Sequence, residues 1–174
     1  MALIDTIKSR RSTRKFTEAP IEAEKLDLIL KAALMAPSSK RCTPWHFVVV
    51  EDKNDLQVIS ESREMGSAFV SGAKAAIIVC AEEEKSNVWV EDASIAATFI
   101  QLMAEELGLG SCWVQVRNRN KNENETTENV IKSLLNIPEG IRVECVVALG
   151  YKGEEKKPFD ESKLQLDKIH RGKF

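Results

Sequence analysis

The residue types best suited to chemistry sit together near the start of the chain, in Ser9-Arg10-Arg11-Ser12-Thr13-Arg14-Lys15-Phe16. Residues 1–16 carry five basic side chains (Lys8, Arg10, Arg11, Arg14, Lys15) against one acid, Asp5, although the whole 174-residue chain has a formal net charge of -2. Guanidinium forks with a serine hydroxyl a few residues away suit a phosphate, because Arg offers paired, charge-assisted donors and Ser adds one more. The competing reading is a solvated basic helix end.

A second stretch, Ala36-Pro37-Ser38-Ser39-Lys40-Arg41-Cys42-Thr43-Pro44-Trp45-His46-Phe47, places two prolines seven residues apart. They favour a stiff, extended connection whose hydroxyls and backbone N–H groups can bond a polyol or a phosphate. Taken alone, it can equally be a turn leading into a strand. Other chemistry is poorly supplied. With only two histidines, His46 and His170, neither a Ser-His-Asp arrangement nor a histidine metal site is well furnished. His46, between Trp45 and Phe47, reads as a packed structural residue. Asp92 lies near the start of an apolar helix, where the helix dipole would explain it. Gly108-Leu109-Gly110 lacks a third glycine and follows a helix, which excludes a dinucleotide fingerprint. No side chain stands out as an acid–base catalyst, a pattern that fits a protein whose cofactor carries the reaction.

The elements that must position these residues follow from hydrophobic spacing. Leu3, Ile4 and Ile7 predict a short helix delivering Arg10 and Arg11 at its C-terminal end, and Ile21–Met35 predicts an amphipathic helix stopped before Pro37. Apolar runs predict buried strands over Trp45–Val50, Ala75–Ala81, Cys112–Val116 and Arg142–Gly150. A polar helix is expected over Asp52–Ser62 and a short helix over Thr127–Leu135. Val88–Leu107 is apolar almost all round, which suggests a central helix shared with a second subunit. Asn118–Glu128 is expected to be a mobile loop, and residues 151–174 an extended arm. Helices and strands alternate with irregular crossovers, so the class is α+β, in a single domain spanning 1–174.

Composition narrows the setting. The chain is 43% hydrophobic and 30% charged, ordinary for a globular protein. Met1–Asp5 is not a signal peptide and no apolar run reaches the length of a membrane span. Four scattered cysteines (Cys42, Cys80, Cys112, Cys145) read as reduced thiols in a cytoplasmic protein, without a disulfide framework or zinc site. A pI near 5.8 argues against general nucleic-acid binding.

Read together, the two stretches resemble the nitroreductase family of FMN-dependent NAD(P)H oxidoreductases. The family's R-R-S-x-R-x-F opening is matched by Arg10–Phe16, and its A-P-S…P-W-x-F motif by Ala36-Pro37-Ser38, Pro44-Trp45 and Phe47. The pattern continues in Asp92–Ala97, Gly108–Trp113, Ala148–Tyr151 and Lys156-Lys157-Pro158. The resemblance implies a three-layer α/β/α sandwich with a mixed, mainly antiparallel sheet, working as a homodimer with FMN at the subunit interface. It also implies that Arg10 and Arg14 hold the FMN phosphate, with Arg11 and Ser12 on the phosphate or the ribityl and pyrimidine end. Lys156 would complete the phosphate contacts. Pro37, Ser38 and Ser39 would reach the flavin from the partner subunit, with Arg41 near the flavin or substrate mouth. Cys112, Trp113 and Val114 would run beside the isoalloxazine ring.

The chain departs from the family pattern at Arg41, usually Asn, at Thr43, usually Gln, and at Phe99, where Asn is common. It is also short between its second strand and the long helix. The implied activity is ping-pong hydride transfer from NAD(P)H through flavin N5 to an electron-poor acceptor such as a nitroaromatic or quinone. Flavin reduction, dehalogenation and flavin breakdown are same-fold alternatives, and a non-catalytic module for an anionic ligand is the rival from another class.

Overall fold

The computed structural model describes residues 2–174. Helix α1 (Leu3–Ser9) and helix α2 (Ala23–Leu34) precede strand β1 (Trp45–Val50). Helix α3 (Lys53–Ser60) and strand β2 (Ala75–Glu82) follow. The long helix α4 (Trp89–Glu106) leads into strand β3 (Leu109–Gln115). A small hairpin of β4 (Asn120–Asn122) and β5 (Glu125–Thr126), helix α5 (Thr127–Leu135) and strand β6 (Ile141–Tyr151) complete the folded body.

The central sheet runs β1-β2-β6-β3, and all three of its ladders are antiparallel. Among the described residues its one parallel pairing is an isolated bridge between Ser12 and Ser111 on the outer edge of β3. β2 and β6 lie in the middle and are buried on both faces, which is why they read as unbroken apolar runs. One face packs Ile77, Val79, Val147 and Leu149 against Ile29 of α2 and Ile100 of α4. The other face packs Ile78, Val146 and Val114 against Ile59 of α3 and Ile131 of α5. The expected three-layer α+β sandwich is therefore present.

Three local differences from the sequence reading have physical causes. Residues 118–128 form the ordered β4/β5 hairpin, tied down by Thr127 N–H donating to Arg119 O and by the Thr126 hydroxyl capping α5. Its exposed polar strands carry no hydrophobic alternation, so periodicity misses them. His46 is exposed rather than packed: β1 is an edge strand, and the ring meets Glu82 at 2.9 Å. Asp92, almost fully buried, does more than meet a helix dipole, since it binds the loop before β1. Beyond Tyr151 almost every residue is exposed, with two short 3₁₀ turns at Glu161–Lys163 and Leu166–Lys168. Among the described residues no helix is long and apolar enough to cross a membrane.

Candidate functional site

The basic cluster leaves α1 in extended form and is stitched to the edge of the sheet through its backbone. Thr13 N–H donates to Ser111 O, Thr17 N–H to Tyr151 O, and Gly153 N–H to Lys15 O. The close fit explains two glycines. A Cβ at Gly110 would stand 2.7 Å from the Thr13 side chain, and one at Gly150 would stand 2.8 Å from the Phe16 ring, distances no side chain tolerates without movement. Phe16 and Thr13 thus anchor the strand-like segment, and the residues between them are free to face outward.

Those outward residues converge. Burial pushes the Cys112 thiol above its ordinary value, against the opposing influence of Arg14, a hydrogen bond with Ser12, and the charges of Lys156 and Arg10. Ser12, Arg14 and Lys156 are brought together on this edge of β3, since Ser12 bridges Ser111 and both Arg14 and Lys156 meet Glu154. Lys156 Nζ donates to Ser12 O and pairs with Glu154 at 3.1 Å. Glu154 also accepts the Arg14 N–H at 2.8 Å, and that N–H, followed by Lys156, holds its carboxyl below the usual range. Arg14 lies over the Phe69 ring at 5.7 Å. Arg10, Arg14 and Lys156 against Glu154 leave a local charge of about +2, which matches a phosphate monoester near neutral pH. The donor set fits the FMN phosphate.

Arg11 points elsewhere. Its guanidinium donates to Lys157 O at 3.1 Å and Arg10 O at 2.6 Å and lies 5.4 Å from the Phe159 ring, fastening the C-terminal arm. Along β3, Cys112 and Val114 are buried, whereas Trp113 is half-exposed and donates from Nε1 to Gln115 at 2.9 Å.

The second stretch is built differently. Ser39–Arg41 forms a 3₁₀ turn, and Lys40, Arg41 and Thr43 all adopt positive φ (49°, 57° and 42°). Such backbone costs of order 1 kcal/mol per residue and persists only where its surroundings impose it. Asp92 supplies the constraint: one carboxylate oxygen accepts Ser39 N–H at 2.8 Å, the other accepts the Ser86 hydroxyl at 2.8 Å and faces Cys42 Sγ at 3.7 Å. The Ser38 hydroxyl accepts Thr43 N–H at 3.0 Å. Pro37 and Arg41 are left exposed.

Within one chain these two groups do not meet. The loop enters β1 and the basic cluster flanks β3, the two opposite edges of the sheet. Three strand spacings of about 4.8 Å set them at least ~14 Å apart. Two of the residues that matter here, Asp92 and Glu154, were outside the anticipated set. Asp92 gave a signal, a lone acid on an apolar helix; Glu154, in the polar tail, gave none.

The nitroreductase family model matches residues 7–75 and 55–151. A protein of Archaeoglobus fulgidus named "Putative NADH dehydrogenase/NAD(P)H nitroreductase" is 40% identical over 173 residues, covering 97% of this chain and 96% of its own. An FMN-dependent nitroreductase structure from Clostridium difficile superposes with a TM-score of 0.96 at 49% identity, covering 98% of this chain and 99% of that one. The NADPH:FMN oxidoreductase of Vibrio harveyi, solved with NAD+, gives 0.81 at 25% identity, covering 99% of this chain and 77% of that one.

Proposed function

Because this chain belongs to the nitroreductase family, we propose that it is an FMN-dependent oxidoreductase that takes reducing equivalents from NAD(P)H. In this reading Arg10, Arg14, Lys156 and Ser12 hold the FMN phosphate, and the observation that carries it is the joining of Ser12, Arg14 and Lys156 at the edge of β3 through the Ser111 bridge and Glu154. FMN, when bound, supplies a two-electron carrier that accepts hydride and passes it to an electron-poor acceptor such as a nitroaromatic or quinone, each substrate leaving before the next enters. The chain's own residues bind and orient. In this reading the Cys112–Val114 backbone is the wall beside the flavin ring, and the buried Cys112 thiol, its pKa raised by burial, stays protonated and inert. No side chain is assigned a proton transfer.

The active form in this reading is a homodimer. Pro37, Ser38, Ser39 and Arg41 of one copy complete the site of the other, as their separation from the cluster within one chain requires. The surface suits this. Leu3, Ile4 and Ile7 of α1, Leu28 and Leu34 of α2 and Ile95 of α4 are exposed apolar residues, and a groove of about 430 Å³ between these helices is lined by Leu3, Ala32, Phe99, Leu102 and Met103. Apolar exposure on this scale marks an interface. We further take 1–174 as one domain with 151–174 as its arm, and place the protein in the cytoplasm, where free thiols at Cys80, Cys112 and Cys145 persist.

Purified protein is expected to be yellow, to release FMN on denaturation, and to bleach on addition of NAD(P)H without oxygen. Colourless protein that takes up no added FMN would overturn this reading.

A further inference from the structure

Several cations of this protein have evident partners. Arg142 is gripped by Glu83 and Glu128, Lys152 by Glu105, Lys74 by Glu18, and Arg11 by backbone carbonyls. Arg63 is among those without one. It is half-buried, it makes no hydrogen bond or ion pair among the described residues, and the charge that acts on it is that of another cation, Arg119. Burial, followed by the Arg119 charge, lowers its pKa. The Arg119 guanidinium in turn donates only to the neighbouring Asn118 O, at 3.1 Å, among the described residues.

Two guanidiniums that line one pocket with no carboxylate paired to either repel each other, and an anion between them relieves that repulsion. Nothing in the backbone lets them drift apart. Glu64 N–H donates to Asn120 O at 3.2 Å, joining the two loops directly, while Arg119 N–H donates to Val116 O and Arg119 O accepts Thr127 N–H, both at 3.0 Å. The turn that presents Arg119 uses Asn118 at φ 58°. The one facing it uses Gly66 at φ +86°, whose missing Cβ would lie 3.8 Å from the Arg63 guanidinium. Together they enclose a pocket of about 310 Å³ lined by Arg63, Glu64, Met65, Asn118, Arg119 and Asn120. Glu64 on this wall pairs with neither arginine.

The pocket is separate from the phosphate cluster. From Ser111 to Val116 the chain is extended, so it opens roughly 17 Å further along β3 at about 3.3 Å per residue. On its way β3 passes Cys112–Val114, the wall assigned above to the cofactor. A substrate seated on that wall with an anionic group would reach toward Arg63 and Arg119.

We propose that Arg63 and Arg119 form an oxyanion subsite that binds a phosphate or carboxylate group of a substrate. This rests on the FMN-dependent reading for its place in turnover, but not for its existence as an anion site. Two guanidinium forks on one oxyanion give the paired geometry that a lysine cannot match. The group has two sources, the 2′-phosphate of NADPH or the carboxylate of an acidic acceptor.

Arginine Nε–H resonances of the FMN-loaded protein, titrated with inorganic phosphate, are expected to shift at Arg63 and Arg119, and Arg63→Gln removes the response at Arg119. If the phosphate titration leaves both resonances unmoved, the subsite is wrong. Steady-state kinetics then identify the source. Arg63→Gln and Arg119→Gln should each lower kcat/KM about tenfold either for NADPH with NADH unchanged, or for 4-nitrobenzoate with nitrobenzene unchanged. The first result assigns the phosphate, the second the carboxylate, and unchanged ratios in both pairs refute a substrate role. Should the protein hold no FMN, the phosphate titration on the protein as purified still decides the anion site, so the two failures are told apart.

Discussion

The basic cluster beside β3 and the Pro37–Thr43 loop before β1 are held in place by opposite means. The cluster has relaxed backbone, pinned by ladder-like bonds to Ser111 and Tyr151, and spends its side chains outward. The loop has three left-handed residues and is pinned by one buried carboxylate, Asp92. In the first region the backbone is secure and charge is left over for a ligand. In the second, Asp92 and Ser38 are consumed holding an unfavourable backbone, so the loop offers a fixed contour that presents Lys40 and Arg41 to solvent. A pocket made from both would take its affinity from one and its contour from the other.

The largest expected effect separates them most sharply. Replacing Arg10 and Arg14 together by Ala should weaken FMN binding by about a thousandfold, or about 4 kcal/mol for two charge-assisted ligands. Among the described residues neither side chain has a hydrogen-bonded partner to lose, so the melting temperature of the FMN-free protein should stay within about 2 °C. Flavin fluorescence titration and thermal melts check both halves. A large melting shift would mean that the cluster supports the fold.

Asp92→Ala should do the reverse. Removing the carboxylate strands the Ser39 N–H and Ser86 hydroxyl and releases the strained turn, at a cost of about 3 kcal/mol in denaturant unfolding. Asp92→Asn keeps an acceptor for Ser39 and should recover about half. If the contrast holds, the affinity of the cluster for inorganic phosphate, read by calorimetry, changes little in either variant.

Gly110→Ala tests the joint between cluster and sheet. The new methyl would lie 2.7 Å from Thr13, forcing the segment off the edge of β3 at about 2 kcal/mol. Thr13→Ser in the same chain should relieve part of that cost, because it removes one of the atoms in conflict. If unfolding and FMN affinity are both unchanged by Gly110→Ala, the backbone is not the rigid partner in this comparison.

Much of this was readable beforehand, and the exceptions share a cause. Trp45–Val50 has the boundaries of its apolar run, and Thr127–Leu135 those of its periodic pattern, since burial on one or both faces writes itself into composition. The side chains of Arg10, Arg11 and Arg14 are alike in sequence. What separates them is a carbonyl at Lys157, 146 residues along the chain from Arg11, and no local pattern reports such a contact. The strain at Lys40, Arg41 and Thr43 is hidden for the same reason: none is Gly or Asn, and only the distant Asp92 makes the conformation tenable. The β4/β5 hairpin escaped notice because exposed polar strands leave no periodic trace.

The smallest effect belongs at the far end of β3, outside both regions. Glu144 sits where the β2–β6 register shifts, buried, with Oε2 lacking a hydrogen-bond partner and Oε1 receiving a long 3.4 Å contact from Gln115. Burial raises its pKa above the ordinary 4.5, and the Gln115 bond and Arg117 only partly oppose it. Below pH 4.5 both folded and unfolded chains carry the proton. As pH rises past that value the unfolded chain ionises first, so stability falls until the folded carboxyl also titrates, and then levels off. Glu144→Gln abolishes this fall and should be more stable than the parent by about 1 kcal/mol at pH 7, with the two converging toward pH 4. FMN affinity and the phosphate response should be the same in both proteins. A parent that gains stability relative to the Gln variant as pH rises would place a cation at Oε2, and β3 would then be charge-compensated at both of its ends.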